Sequence, residues 1–253
     1  ADSGTTANTG TLAISGGEFS GPGNLAVSGL TTYSGGQIGG DAGNVIANGG
    51  LNISGAGGKT LGHSGGSGSS GIVNNGAGTW NGTGNISNWD SGRFTNGTGA
   101  SFDIRTDADF SSGTFINQGT LVKSVGATDG SNKTVISGLF DNSGSVNVTQ
   151  GVLSLTGGGT HTGSFSSGGD GWIEFAGSSS KQTHDLNSGA SVTGNVRMVS
   201  SFGPLVVNSG ATYNAAKTEI VSSGQLTIAD SGTTANTGTL AISGGEFSGP
   251  GNL

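Results

Sequence analysis

The sequence predicts an all-β protein folded as a parallel β-helix, a β-solenoid, with about 10–12 coils in each repeat unit (residues 1–228). Three observations predict this fold class. Residues 229–253 copy residues 1–25 letter for letter, apolar and polar residues alternate in short bursts, and 55 of the 253 residues are glycine. Together they indicate short strands joined by tight turns in a chain that repeats.

The repeat excludes the common closed β architectures. Ala229 begins a second copy of the segment that begins at Ala1, so the repeat unit spans residues 1–228. A sandwich or barrel would have to close within every unit, whereas a solenoid lengthens by adding coils. We therefore expect residues 1–228 to form one solenoid unit and residues 229–253 to begin the next identical unit, continuous with the same solenoid. Coils of about 20 residues stacked at about 4.8 Å would give a rise of roughly 50 Å per unit.

The alternation of apolar and polar residues predicts strands with one buried face. Bursts with a period of two occur at residues 11–15, 145–149 and 195–199, and no long run has helical spacing. Residues 102–110 show the pattern most clearly, and we expect them to form one strand. The residues expected to point inward are Phe102, Ile104, Thr106, Ala108 and Phe110, and those expected to point outward are Asp103, Arg105, Asp107 and Asp109. Val148 is expected to point inward as well.

Glycine and asparagine are expected at the corners of the coils. Both residues tolerate the positive φ angles of tight turns. Coils that turn at the same place stack like residues above one another, and stacked asparagines gain side-chain hydrogen bonds along the axis. We therefore expect asparagine ladders in the solenoid.

Composition and charge exclude several classes of protein. A net charge of −7 with only 8 Lys and Arg disfavours nucleic-acid binding, which needs a basic surface. The same small net charge, together with the regular apolar pattern, disfavours intrinsic disorder. No stretch approaches the ~18 apolar residues of a membrane span, so none is expected.

Three stretches of the sequence resemble a known group of proteins. Residues 113–122, 139–148 and 157–165 are similar to the right-handed β-helix repeats of large bacterial surface proteins, the filamentous-haemagglutinin-like adhesins and autotransporter passengers. The resemblance implies a right-handed coil. It also implies a fibrous protein located outside the cell or on the bacterial surface.

The candidates for chemistry are few, and the sequence predicts no catalytic, cofactor-binding or metal-binding residues and no cofactor. Asp103, Asp107 and Asp109, with Arg105, are the best acidic group for glycan cleavage, but a solvated outer strand explains them more simply. Residues 168–173 begin like a calcium repeat and then carry isoleucine where aspartate is required. The histidines His63, His161 and His184 lack the spacing of zinc ligands.

The sequence therefore predicts a structural, non-catalytic component of a long fibre built from tandem repeats. Its partners would be copies of itself, end to end along the fibre axis, together with the cell surface or glycans. The alternative is an adhesin that binds glycans or host surfaces through exposed aromatic residues such as Tyr33, Trp80 and Trp89. A more remote alternative is a glycan-cleaving β-helix enzyme or tailspike.

Overall fold

The computed structural model describes residues 4–40, 43–64, 70–89, 92–127, 132–177, 182–200 and 202–253. Within these ranges all regular secondary structure is β, which confirms the predicted fold class. The strands are short because each crosses only one face of a narrow coil.

The 31 strands of the described residues, in chain order, are β1 (Thr6–Thr9), β2 (Leu12–Ile14), β3 (Glu18–Phe19), β4 (Asn24–Val27), β5 (Thr31–Tyr33), β6 (Gly36–Ile38), β7 (Asn44–Ala47), β8 (Leu51–Ile53), β9 (Lys59–Leu61), β10 (Ser70–Asn74), β11 (Ala77–Trp80), β12 (Ile86–Asn88), β13 (Gly92–Asn96), β14 (Ser101–Ile104), β15 (Phe110–Ser111), β16 (Thr114–Asn117), β17 (Thr120–Lys123), β18 (Thr134–Ile136), β19 (Leu139–Asn142), β20 (Ser145–Val148), β21 (Val152–Leu155), β22 (Gly159–His161), β23 (Ser164–Ser167), β24 (Trp172–Phe175), β25 (His184–Leu186), β26 (Ser191–Met198), β27 (Leu205–Val207), β28 (Thr212–Val221), β29 (Gln225–Ile228), β30 (Ala235–Ser243) and β31 (Glu246–Ser248).

The strands stack into three parallel ladders, which form three faces of the coil. Face 1 consists of β1, β4, β7, β10, β13, β16, β19, β22, β25, β27, β29 and β31. Face 2 consists of β2, β5, β8, β11, β14, β17, β20, β23 and the first parts of β26, β28 and β30. Face 3 consists of β3, β6, β9, β12, β15, β18, β21, β24 and the second parts of the same three long strands. Because the long strands cross the corner between faces 2 and 3, these two ladders merge into one 19-stranded sheet.

The chain visits the three faces in a fixed order and makes about ten turns, as predicted. The turns differ in length: Thr6 pairs with Asn24 in the first coil, whereas Val45 pairs with the more distant Ile72 between β7 and β10. The ladders stay in parallel register nonetheless, so the variation in length falls on the connections between strands. The irregular spacing of the bursts in the sequence has this origin.

The interior is a column of apolar side chains. Phe94, Phe115 and Phe140 occupy equivalent positions in successive strands of face 1, with ring centroids 4.8 and 5.4 Å apart. Phe102 packs against Phe94 from face 2 at 4.6 Å. All of these rings are buried, so aromatic contacts continue from one coil to the next along the axis.

Residues 102–110 differ from the single strand predicted for them. The alternation is as expected: Phe102, Ile104 and Phe110 are fully buried. The chain nevertheless turns a corner after β14, and β15 belongs to the next face. The hydroxyl of Thr106 accepts a hydrogen bond from the Ala108 amide, and its carbonyl accepts bonds from elsewhere in the corner, so the backbone leaves the ladder without changing the inward pattern.

The predicted asparagine ladder is present, and it lies inside the solenoid. Asn74, Asn96, Asn117 and Asn142 stack at the end of successive face 1 strands and are buried. The side-chain amides of the first three donate to the next carboxamide oxygen, at 3.0, 2.9 and 2.8 Å. Each also donates to a backbone carbonyl just beyond the turn, as Asn117 does to Ser145 at 3.0 Å. The ladder therefore fixes the corner between faces 1 and 2 in four consecutive coils.

We predict that Val148→Asp will destabilise the solenoid by about 3 kcal/mol or more, because it places an unpaired carboxylate in the apolar column. The matched control is Asn147→Asp, one residue earlier on the outward side of the same strand. Urea denaturation and protease resistance measure the difference. Equal stability of the two variants would show that the inward and outward assignment of β20 is wrong.

A second prediction concerns the asparagine ladder. Asn117→Asp removes the donors to Asn142 and Ser145 and turns a buried carboxylate toward two acceptor oxygens, so we expect a loss of about 3 kcal/mol at pH 7. Gln118→Glu makes the same amide-to-acid change at the adjacent exposed position and should be nearly neutral. If the two variants had equal unfolding midpoints in urea, the ladder would contribute nothing to stability.

Candidate functional site

The acidic stretch that the sequence singled out surrounds the corner between faces 2 and 3. Asp103 pairs with Arg105 on the outside, with Nε and Oδ2 2.6 Å apart, and accepts the Ser124 hydroxyl at 2.7 Å. Asp109 accepts the backbone amide of Val135 at 2.9 Å. Both carboxylates thus connect one coil to the next, which is the structural role expected of an outer strand.

Asp107 has a different partner, a lysine whose side chain is fully buried. Lys123 Nζ donates to Asp107 Oδ1 at 2.8 Å and to the Thr106 carbonyl at 2.7 Å. Burial lowers the pKa of Lys123, and the hydrogen bond and negative charge of Asp107 oppose that change. Lys123 closes the corner from the inside, so removing Asp107 would leave the buried ammonium without its counter-charge, whereas Asp107 itself is partly exposed to the solvent.

An open groove of about 480 Å³ flanks this corner. Its lining residues are Asn81, Thr83, Asn85, Arg105, Thr106, Asp107, Ala108, Val125 and Asn132. Glycoside hydrolysis ordinarily needs two carboxyl groups on either side of the bond. Among the described residues of the lining, Asp107 supplies the single carboxylate, and Lys123 already holds it. The structure therefore does not bring Asp103, Asp107 and Asp109 together into a two-carboxylate site.

The largest cluster of charged side chains in the described residues lies elsewhere, on the outward side of face 3, where Glu174 is itself almost fully covered. Glu174 binds Lys133 and the Ser154 hydroxyl, and Arg197 Nη1 lies 4.0 Å from its second oxygen. Arg197 Nε also donates to Glu219 at 2.8 Å. The result is a chain of alternating charges that runs along the axis across neighbouring coils.

Two further side chains complete this cluster, which we call the outer charge ladder (Lys133, Glu174, Arg197, Lys217, Glu219 and Trp172). Lys217 Nζ lies 2.7 Å from Glu219, and Arg197 and Lys217 stand 4.5 and 5.0 Å from the centre of the Trp172 ring. Burial raises the pKa of Glu219, but Lys217 and Arg197 outweigh it and hold that pKa below its usual value. The cluster is internally paired, so it stiffens the face.

Sequence reasoning missed the outer charge ladder. The period-two signal was present, because Trp172, Glu174, Arg197 and Glu219 alternate with inward-pointing residues. What was lacking was the register that sets Glu174 opposite Arg197 and Arg197 opposite Glu219. The sequence alone does not define the coil boundaries.

Two of the three histidines form a buried pair. His161 Nε2 lies 3.3 Å from His184 Nδ1, and the rings are stacked with centroids 5.6 Å apart. His184 Nε2 donates to the carbonyls of Leu155 and Ala176 at 3.0 and 3.1 Å, which leaves its Nδ1 as the acceptor. His161 follows Asn142 in the face 1 ladder and so continues the column of the asparagines.

Burial determines the protonation state of this pair. It lowers the pKa of His184 to about 4 and that of His161 well below its ordinary value, where the neighbouring His184 lowers it further. His63 lies far along the chain on the surface, with Nδ1 3.8 Å from Glu18. The three histidines therefore do not share a site.

The aromatic residues proposed for adhesion are divided between core and surface. Tyr33 and Trp80 are fully buried, and Tyr33 donates its hydroxyl to the Gly36 carbonyl at 2.7 Å. Trp89 remains exposed over 48% of its surface. The three side chains do not form a common aromatic face.

Neither a metal site nor a membrane helix is found in the described part of the chain. No three His, Asp or Glu side chains lie close enough together there to hold a metal ion. No helix in those ranges has the length and apolar character to cross a membrane. Comparison with known proteins returned no matching protein-family model, no matching curated protein and no matching solved structure.

We predict that acid will weaken the solenoid through the buried histidines. Their pKa values are lower in the folded state than the unfolded value of about 6.5, so the unfolded chain binds more protons below that pH. Stability should be complete above about pH 6.5 and fall toward pH 4, by about 3 kcal/mol for His184 alone. The melting temperature measured across this range tests the prediction.

The double variant His161→Asn/His184→Gln should flatten this pH dependence, because both replacements are uncharged amides. His63→Gln removes the exposed histidine and serves as the control that keeps the wild-type profile. A wild-type melting temperature that does not change between pH 6.5 and 4 would contradict the assigned role of the pair.

Proposed function

We propose that the chain is a structural segment of a long extracellular or cell-surface fibre built from tandem β-solenoid repeats, without catalysis. The observation that carries the proposal is the continuity of the three ladders. They run from β1 to β31 without a closing element in the described residues, and the second copy of the repeated segment joins the same stack. A solenoid of this kind can be extended by further repeats of the same sequence.

The interior contacts favour a mechanical role. Backbone ladders, the asparagine ladder and the phenylalanine column all run along the axis, so each coil is held to the next by several kinds of contact. Stability in such a fold is a sum over coils and their interfaces. Length can therefore increase without loss of local stability, which is what a fibre requires.

The partners and the location follow from the same proposal. Copies of the repeat unit (residues 1–228) would be the main partners, end to end along the axis. The location outside the cell or on a bacterial surface is supported by the resemblance of residues 113–122 and 139–148 to β-helix repeats of bacterial surface proteins. The core positions of Tyr33 and Trp80 remove two of the three aromatic residues on which the adhesin alternative depended.

Electron microscopy of a tandem array of the repeat tests the proposed function. We expect thin, uniform filaments with an axial rise of roughly 50 Å per unit, since ten or so coils stack at about 4.8 Å. A chain of two units and a chain of four units should differ in length by roughly 100 Å at constant width. Compact particles, or beads joined by flexible threads, would contradict the proposal.

A further inference from the structure

The two copies of the repeated segment occupy different faces of the same solenoid. In the first copy, β1 lies on face 1, β2 on face 2 and β3 on face 3. In the second copy the equivalent residues begin on face 2 in the first part of β30, continue on face 3 in its second part, and reach face 1 in β31. Each part of the second copy therefore lies one face further around the coil than its equivalent in the first copy.

The segment closes its coil in the same register in both copies, although the backbone at one corner differs: Gly17 has a positive φ in the first copy, and Gly244, the equivalent of Gly16, has it in the second. Thr6 stands opposite Asn24 in the first copy, and the equivalent Thr234 stands opposite Asn252 in the second. The Asn24 amide donates to the Thr5 carbonyl at 2.9 Å, and the Asn252 amide donates to the Thr233 carbonyl at 3.2 Å. The shared pairing shows that the same segment can close a coil in the same register from either starting face.

The two copies are also covered from opposite sides. The first copy stacks only on the following coil, which leaves Ala7 exposed while Ile14 is buried. The second copy stacks only on the preceding coil; there Ala235 is buried and Ile242 is 49% exposed. The same side chains point inward in both copies. Ile14 stands opposite the buried Tyr33, and its equivalent Ile242 stands opposite the buried Ile220. The repeated segment can therefore pair with a following coil along one edge and with a preceding coil along the other.

We propose that consecutive repeat units stack with an advance of one face, so that one unit comprises ten full turns and one further face. The interface between units is then the segment of residues 7–20, seated on the coil of residues 212–227 of the preceding copy. This inference deepens the proposed function and rests on it where it concerns the fibre. In an array each unit would be rotated by about a third of a turn, and outer features would return to the same side after every third unit.

This arrangement distributes the outer surface around the fibre. The outer charge ladder lies on face 3 in the described unit, and it would move to the next face in each following unit. A fibre of such units presents the same polar and charged features in three directions. It therefore offers equivalent contacts to its surroundings on every side.

The 253-residue chain itself permits a direct test, because it contains no cysteine. Asn236 stands opposite Asn214 across exposed positions of β30 and β28, so the variant Asn214→Cys/Asn236→Cys should form a disulfide on mild oxidation. Thr227 precedes Asn236 by less than half a coil and lies on face 1, whereas Asn236 lies on face 2. The variant Thr227→Cys/Asn236→Cys should therefore remain reduced and serves as the negative control.

A third variant shows that the cysteine at position 227 is reactive. Thr227 stands opposite Ser248, with the hydroxyl oxygens 3.1 Å apart, so Thr227→Cys/Ser248→Cys should also form a disulfide. Peptide mapping by mass spectrometry identifies each bond. Crosslinks 214–236 and 227–248 without 227–236 support the seating of the second copy on residues 212–227, on which the advance of one face rests, while absence of 214–236 with 227–248 present overturns that seating and the advance with it.

Different measurements test the fibre proposal and the advance of one face, so either can be rejected without the other. The disulfide pattern reports the register within one chain, whether or not the array forms filaments. Filaments whose reconstruction shows no rotation between units would leave the fibre in place and reject the advance of one face.

Discussion

The parallel register between successive coils is the constraint on which the rest of the structure depends. Each strand within the stack is paired along both of its edges by coils about 20 residues away, so a strand of two residues such as β15 is sufficient. A strand that short would have no stability by itself. Additional residues are accepted only where they leave the ladders undisturbed. The coil from Val45 to Ile72 is therefore longer than the coil from Thr6 to Asn24, while the register holds in both.

Register has a second consequence, since it turns every inward position into a column of side chains. An apolar column stabilises by burial and ring contacts, as with Phe94, Phe115 and Phe140. A polar column is stable only if each group supplies the donor or acceptor that its neighbour needs, and the primary amide of asparagine has both. A neutral imidazole has both as well: His161 follows Asn142 in register and donates from Nε2 to His184, while its Nδ1 is buried without a hydrogen-bond partner.

The sequence predicted whatever depends on local alternation and on identity between repeats. The inward positions of Phe102, Ile104 and Val148 follow from the period of two, and the asparagine ladder follows from turns of constant chemistry. The side-chain contacts between coils could not be predicted from the sequence, because they depend on the lengths of the variable connections between strands. The break between β14 and β15, the buried Lys123 beside Asp107 and the outer charge ladder all require the coil register, which alternation alone does not give.

The length of the repeat follows the same logic. A solenoid grows one strand at a time, so a unit needs a whole number of faces and has no need of a whole number of coils. The sequence must keep the same alternation of inward and outward side chains in both copies, because the same residues have to point inward against two different neighbouring coils. Ile14 and its copy Ile242 meet this condition, one opposite Tyr33 and the other opposite Ile220. The solenoid accepts the same segment in two positions, starting on face 1 in the first copy and on face 2 in the second. The identity of the two copies therefore constrains the cross-section of the solenoid as much as its length.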